Sequence, residues 1–148
     1  MIFKEEVRDL FSVPEDYYLA HCISADFGMG KGIVVEFNKR YDMKNRLMTK
    51  YPTYLSKWQK ENILGDCILE GNTFNLITKE RYWNKPTYDS LETALVIMGL
   101  ICLEKGIKKI AMPTIGAGLD RLDWDRVKEI IQIVFRNTDV EILVCKLK

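Results

Sequence analysis

Two glycine-rich loops constrain the fold of this chain most, because each follows a predicted strand and precedes a predicted helix. The first glycine loop is Phe27-Gly28-Met29-Gly30-Lys31-Gly32-Ile33, and the second is Thr114-Ile115-Gly116-Ala117-Gly118-Leu119-Asp120. Glycines let the backbone curl so that its amides converge on one point, and such a nest binds oxyanions without a lysine or a metal. Two such loops, each at the start of a helix, predict a grip on a diphosphate from both sides.

Apolar periodicity in the rest of the chain predicts strands and helices. Strands are predicted over residues 2–7, 17–23, 66–70, 73–78, 109–112 and 140–145, the first at an edge of the sheet and the second at its centre. Helices are predicted over 32–41, 43–51, 54–61 and 124–135, and through an apolar face from Leu91 to Cys102 that Gly106 ends. Gly71-Asn72 is predicted as a hairpin turn, although its glycine-first order fits the two-residue primed turns less cleanly than Asn-Gly.

The order of these elements predicts the α/β class, as a three-layer α/β/α sandwich around a mixed central sheet. In such sheets ligands bind beyond the carboxyl ends of the strands, where both glycine loops are predicted to lie. With 148 residues and 47% hydrophobic content, the chain is long enough for one domain with a core. A single domain over residues 1–148 is therefore expected.

Composition excludes several classes of protein. The formal net charge of +1 argues against an extended duplex-binding surface but leaves room for a small anionic ligand. Neither a secretory pattern nor an apolar run of the ~20 residues that span a bilayer is present, so we expect a cytoplasmic monomer without a membrane partner. The glycines do not form the Gly-x-Gly-x-x-Gly of nicotinamide-cofactor sites, and His21 is the only histidine. Hence no cofactor or metal is expected, and the scattered cysteines are predicted to be reduced thiols: Cys22, Cys67, Cys102 and Cys145.

Lys79 and Asp120 are the candidates for catalysis. Asp120 ends the second glycine loop and would lie near the group attached to a bound phosphate, as a general acid or base. It could instead cap the following helix or pair with Arg121. Lys79, at a predicted strand end, fits a surface lysine, a counter-charge for phosphate, or an amine nucleophile. A lysine of pKa ~10.4 is mostly charged at neutral pH, so attack requires that substrate binding, burial or proton transfer to the acid free the amine.

Three further residues have both a functional and a structural interpretation. Ser24 begins the first glycine loop and fits either a nucleophile or sugar contact, or a hydroxyl that caps the loop. Asp9 follows the first strand and fits either an acceptor for an exocyclic amine such as that of adenine, or a turn acid. His21 lies within a strand, and a structural role is favoured there.

Taken in order, these segments resemble the macrodomain family, in particular the lysine/aspartate branch of the terminal ADP-ribose protein glycohydrolase. The resemblance covers most of the chain. The matching stretches are Arg8-Asp9-Leu10-Phe11, His21-Cys22-Ile23-Ser24, Met29-Gly30-Lys31-Gly32-Ile33, Leu76-Ile77-Thr78-Lys79, Lys85-Pro86-Thr87-Tyr88, Met112-Pro113 and Ile115-Gly116-Ala117-Gly118-Leu119-Asp120-Arg121-Leu122. The sequence departs from the wider family in lacking the asparagine after the second strand, where residues 21–24 stand, and this favours the lysine branch.

The resemblance implies an ADP-ribose site with assigned roles. Asp9 is implied to bind the adenine, Leu10 and Leu147 to flank the adenosine, and residues 28–33 and 114–120 to hold the diphosphate and the distal ribose. In the resembling branch a lysine at the position of Lys79 attacks the anomeric carbon of the distal ribose, and an aspartate at the position of Asp120 handles protons.

The implied activity is release of ADP-ribose from carboxylate esters, on protein glutamates or on small O-acyl groups. ADP-ribose or an ADP-ribosylated protein or nucleic acid is then the partner. Three alternatives stay open: a phosphatase for ADP-ribose 1″-phosphate, a hydrolase for ADP-ribosylated DNA, and a reader that binds ADP-ribose without turnover.

Overall fold

The computed structural model describes residues 1–147 and builds them around one six-stranded sheet. The strands are β1 (Ile2–Val7), β2 (Tyr18–Ser24), β3 (Asp66–Glu70), β4 (Thr73–Lys79), β5 (Lys109–Met112) and β6 (Glu141–Lys146). They lie in the order β1-β6-β5-β2-β4-β3, and neighbours are parallel except β3, which runs antiparallel to β4. The carboxyl ends of the parallel strands therefore meet at one edge, termed the carboxyl edge.

Helices cover both faces of this sheet. They are α1 (Val34–Tyr41), α2 (Met43–Lys50), α3 (Tyr54–Lys60), α4 (Tyr88–Lys105) and α5 (Trp124–Phe135), with a 3-10 turn at Leu10–Ser12. One apolar cluster packs α4 and α5 on the sheet, while two others include residues of α1, α2 and α3. The predicted three-layer sandwich and mixed sheet are confirmed. In residues 1–147, no helix combines the length and the apolar character needed to cross a membrane.

Local sequence explains where these helices begin and end. Thr87 and Ser90 cap the start of α4 reciprocally, and Gly106 ends it with a φ of +68°. Asp123 caps α5 by accepting from the amide of Asp125. The helix predicted from residue 32 begins only at Val34, because Gly32 has a φ of +77°, which lies outside helical geometry.

The hairpin between β3 and β4 corrects the sequence interpretation of its turn. Glu70 pairs with Thr73 across a two-residue loop, and Gly71 has a φ of +60°. Positive φ at the first central residue is what a type II′ turn requires, so the order Gly71-Asn72 fits the turn well. The Arg46 guanidinium also lies 2.8 Å from where a Cβ on Gly71 would stand.

Candidate functional site

The carboxyl edge brings the predicted site residues together. Strand β2 ends at Ser24 and leads into the first glycine loop, while β5 leads into the second. Strand β4 ends at Lys79. Strands β1 and β6 end at the same edge, just before Asp9 and Leu147 respectively. Five strand ends thus lie at one edge of the sheet, as the parallel pairing dictates.

Lys79 and Asp120 form an ion pair at this edge. The Nζ of Lys79 lies 2.8 Å from Oδ1 of Asp120, and the two side chains are 13% and 16% exposed. Lys79 is therefore not a solvated surface lysine. Asp120 does not cap α5, because Asp123 does so. Within residues 1–147 only Oδ1 of Asp120 is hydrogen-bonded, which leaves Oδ2 for another partner.

The ion pair also defines a chemical condition for catalysis. A lysine ammonium has three donors and no lone pair, so Lys79 cannot attack carbon in the charged state. Asp120 is in direct contact with that ammonium and is the group nearest to receive its proton. The pair can act as nucleophile and base only if the proton moves from nitrogen to the carboxylate.

The Cys22 thiol is close enough to the pair for both charges to act on its pKa. Burial raises the pKa of Cys22 well above its usual range, the Asp120 charge raises it further, and Lys79 and the Gly116 backbone oppose this. The thiol is therefore neutral and is not expected to act as a nucleophile, because nucleophilic attack by sulfur requires the thiolate.

Asp26 organises the first glycine loop, and the sequence interpretation missed it. Its Oδ1 accepts hydrogen bonds from the Ser24 hydroxyl at 2.5 Å and the Gly28 amide at 3.1 Å. Its Oδ2 accepts from the amide of Tyr82 at 3.1 Å. Ser24 is only 1% exposed and so has the loop-capping arrangement, while its part in chemistry stays a prediction. An aspartate two residues before a glycine is the spacing of an Asx turn, and this signal would have identified Asp26.

Two of the loop glycines border open space. Among the described residues, no atom comes within 4 Å of a Cβ built on Gly30 or Gly118, and neither has a positive φ. No hydrogen bond in residues 1–147 uses their amides. By contrast, Gly32 and Gly116 have φ values of +77° and +73° and pack against leucine side chains. Chain conformation explains the second two glycines, whereas the first two leave room for a ligand against the backbone.

Comparison with known proteins places this architecture in a family. No protein-family model matches the chain. The fold is similar to the macrodomain of DarG from Mycobacterium tuberculosis, with a TM-score of 0.79 and 21% identity over 99% of this chain and 98% of that one. The sequence is 40% identical to the human ADP-ribose glycohydrolase OARD1 over 137 residues, which are 92% of this chain and 86% of that protein. The chain belongs to the macrodomain family.

A structure of DarTG from Thermosipho africanus in complex with ADP-ribose is also similar to this macrodomain. The TM-score is 0.68 at 17% identity, over 98% of this chain and 41% of the DarTG chain. At that identity the likeness concerns the fold alone. It supports the layer order and the sheet, while the family assignment depends on the sequence match to OARD1.

An aromatic segment, residues 80–86, lies between the two glycine loops of this macrodomain. Its Tyr82 packs on the first loop, where a Cβ on Gly28 would stand 2.9 Å from the Tyr82 Cβ. Its Lys85 donates from Nζ to the carbonyl of Leu119 in the second loop at 2.7 Å. Tyr82 and Trp83 meet edge to face at 4.9 Å, and each is 61% exposed.

At the end predicted to bind adenine, Asp9 and Leu10 have structural contacts. Asp9 accepts from the amide of Phe11 at 3.0 Å and so caps the 3-10 turn, the structural role considered for it. Leu10 is 4% exposed and packs in the core with Phe37, whereas Leu147 is 87% exposed. Their contacts with an adenosine stay predictions.

His21 lies in the core. Its ring stacks on Phe37 at 3.8 Å, and its Nε2 lies 2.6 Å from Oδ1 of Asn75. Burial lowers the pKa of His21 to about 4, with the Asn75 hydrogen bond opposing the shift, so the ring is neutral. In the described part of the chain, no three His, Cys, Asp or Glu side chains are grouped as a metal site needs.

Proposed function

We propose that this macrodomain is a hydrolase that releases ADP-ribose from carboxylate esters, on protein glutamates or on small O-acyl groups. The observation that carries the proposal is the Lys79–Asp120 pair, at 2.8 Å, at the carboxyl edge with both glycine loops. The 40% identity to a protein named ADP-ribose glycohydrolase supports it.

In this proposal the two glycine loops bind the diphosphate. The amides of Gly30 and Gly118 are unused within residues 1–147 and border open space, so phosphate oxygens can approach the backbone there. The first loop leads into α1, whose N-terminus adds a favourable field for an anion. Asp9 keeps one carboxylate oxygen for the exocyclic amine of adenine.

In this proposal Lys79 and Asp120 cleave the ester bond. The Lys79 ammonium passes one proton to Asp120, and the freed amine bonds to the anomeric carbon of the distal ribose. The bond from that carbon to the ester oxygen breaks, and the carboxylate leaves with the bonding electrons and needs no proton at neutral pH. Water then attacks the same carbon, releases ADP-ribose and regenerates the lysine, with Asp120 exchanging the protons.

The proposal is tested by offering several conjugates to the wild type, Lys79→Ala and Asp120→Ala. The panel is a glutamyl ADP-ribose peptide, O-acetyl-ADP-ribose, ADP-ribose 1″-phosphate and ADP-ribosylated thymidine. We expect the wild type to cleave the two esters and both variants to lose this activity while retaining affinity for ADP-ribose in calorimetry. Equal ester turnover by all three proteins would exclude catalysis by the pair.

The remaining outcomes separate the alternatives. Release of phosphate alone would identify a phosphatase, and cleavage of the thymidine conjugate alone would identify a DNA hydrolase. Binding of ADP-ribose without turnover of any conjugate would identify a reader.

A further inference from the structure

The aromatic segment, residues 80–86, is tied to both glycine loops at once. Toward the first loop, the Tyr82 amide donates to Oδ2 of Asp26, whose Oδ1 accepts from the Gly28 amide. Toward the second loop, Lys85 donates to the carbonyl of Leu119 at 2.7 Å. The segment also follows Lys79 directly in sequence, so it connects the nucleophile to both loops.

From this arrangement we propose that Asp26 and Lys85 are positioning residues, and that the segment they hold is a brace that fixes the spacing of the two glycine loops. The inference depends on the proposed function, since the loops are taken to grip the diphosphate. Neither residue is assigned to the reacting atoms. Asp26 acts through the Tyr82 and Gly28 amides, and Lys85 acts through Leu119.

The tie at each end involves one charged group, since Asp26 accepts as a carboxylate and Lys85 donates as an ammonium. Asp26 is a carboxylate that accepts from a hydroxyl and two amides, and hydrogen bonds to a charged acceptor are the stronger kind. Leu119 lies 3.3 Å from where a Cβ on Gly32 would stand, so the loops also touch each other. A shift of one loop by about 1 Å is enough to weaken a site whose donors must converge on one diphosphate.

The brace makes a specific kinetic prediction for Asp26→Asn and Lys85→Met. Each variant loses one tie, and we expect KM for the ester and Kd for ADP-ribose to rise roughly tenfold, the size of one such hydrogen bond. We expect kcat to stay within about threefold of the wild type, because Lys79 and Asp120 are still present and paired. A general loss of folded protein would lower the apparent kcat and leave KM unchanged.

The double variant Asp26→Asn/Lys85→Met distinguishes one brace from two separate contacts. Releasing either end frees the segment, so we expect the double variant to bind ADP-ribose about as weakly as the weaker single variant. Independent contacts would multiply to a loss of roughly a hundredfold. Asp139→Asn and Lys108→Met are matched controls, since these residues form an exposed 2.8 Å ion pair before β6 and β5, away from the carboxyl edge.

Amide exchange supplies a readout that is independent of activity. In the wild type the Tyr82 amide is held by Asp26, and we expect its exchange to accelerate at least tenfold in Asp26→Asn and also in Lys85→Met. Unchanged exchange and unchanged Kd, or multiplicative losses in the double variant, would overturn the brace. Because Kd and exchange need no turnover, a failure of the hydrolase proposal would leave this test intact.

Discussion

Two cation–carboxylate clusters lie at opposite edges of the sheet, and they differ in how completely the acid is satisfied. Glu70, at the end of the antiparallel strand β3, is 3% exposed and is bonded through both oxygens to Arg46 and Lys50 of α2. Burial raises the pKa of Glu70, but the hydrogen bonds and charges of Lys50 and Arg46 outweigh it and hold the pKa low. Asp120 is bonded through one oxygen to one lysine.

The difference separates a structural ion pair from the pair that we propose to be reactive. Two bonded cations stabilise the charged form of Glu70, so this carboxylate stays ionised. Its bonds to Arg46 and Lys50 hold α2 against the end of β3. Asp120 keeps one oxygen unbonded within residues 1–147, beside a loop with open space. The unbonded oxygen and the open space beside it are the reasons for which we propose a chemical role for Asp120 and not for Glu70.

The same chemical change at both acids gives the largest contrast. In Asp120→Asn we expect ester turnover to fall roughly 10³-fold, because the amide cannot take the proton from Lys79. The free energy of unfolding should change by about 1 kcal/mol, since the amide oxygen of the asparagine can still accept a hydrogen bond from the Lys79 ammonium. Single-turnover rates and urea unfolding measure the two quantities. A variant that retained full turnover would remove Asp120 from the mechanism.

Glu70→Gln should show the reverse pattern. The buried Glu70 carboxylate bonds Arg46 and Lys50 through both oxygens, and an amide in its place offers only one acceptor, so we expect the free energy of unfolding to fall by about 2 kcal/mol. Turnover should stay within about twofold of the wild type, because Glu70 lies at the other edge of the sheet. Urea unfolding and ester hydrolysis check this, and a tenfold loss of activity in a folded variant would end the distinction between the clusters.

His21 extends the comparison to a buried titratable group that has no ion-pair partner among the described residues. Its pKa is about 4 in the folded protein and near 6.5 in the unfolded chain, so the unfolded chain binds more protons between these values. The contribution of His21 to the free energy of unfolding is therefore fully present above pH 6.5 and is lost as pH falls toward 4. The loss is about 2 kcal/mol between pH 7 and pH 5. Urea unfolding at both pH values should show this loss in the wild type and not in His21→Gln; equal slopes would contradict it.

The smallest expected effect comes from filling the open space beside Gly30 and Gly118. In Gly30→Ala and Gly118→Ala the added methyl meets no atom of the described chain, so stability should be unchanged. The affinity for ADP-ribose should fall roughly tenfold, because the methyl occupies ligand space. Gly106→Ala is the matched control: its φ of +68° predicts a loss of about 1 kcal/mol in stability with unchanged binding. Calorimetry and thermal melting separate the two classes of glycine.

The sequence predicts the sheet and the helices well because their patterns are local. The apolar rows in α4 and α5 follow helical spacing, and each glycine loop stands between a strand and a helix in the chain itself. Lys79 and Asp120 could be placed at one edge by topology and by resemblance. Their contact could not be derived, since the two residues are 41 positions apart and the distance depends on how β4 and the second loop pack.

Features that depend on long-range hydrogen bonds could not be predicted from the sequence. Asp26 reaches Tyr82 across 56 residues, and Lys85 reaches Leu119 across 34. No period or spacing signals such a contact, because it forms only after both loops are placed. The burial of Leu10 and the reciprocal cap of Thr87 with Ser90 are likewise read from the structure, although the cap has a short-range pattern.

The central claim, that the Lys79 amine bonds to the anomeric carbon, can be tested by trapping. The wild type is incubated with a glutamyl ADP-ribose peptide and cyanoborohydride, digested, and analysed by mass spectrometry. When Lys79 nitrogen is bonded to the anomeric carbon, the bond from that carbon to the ring oxygen can open and leave an iminium, which cyanoborohydride reduces to a stable amine. We therefore predict a reduced ADP-ribose adduct on Lys79, formed during turnover and abolished in Lys79→Ala. Full turnover of the ester with no adduct at Lys79, and with activity retained in Lys79→Ala, would contradict the claim.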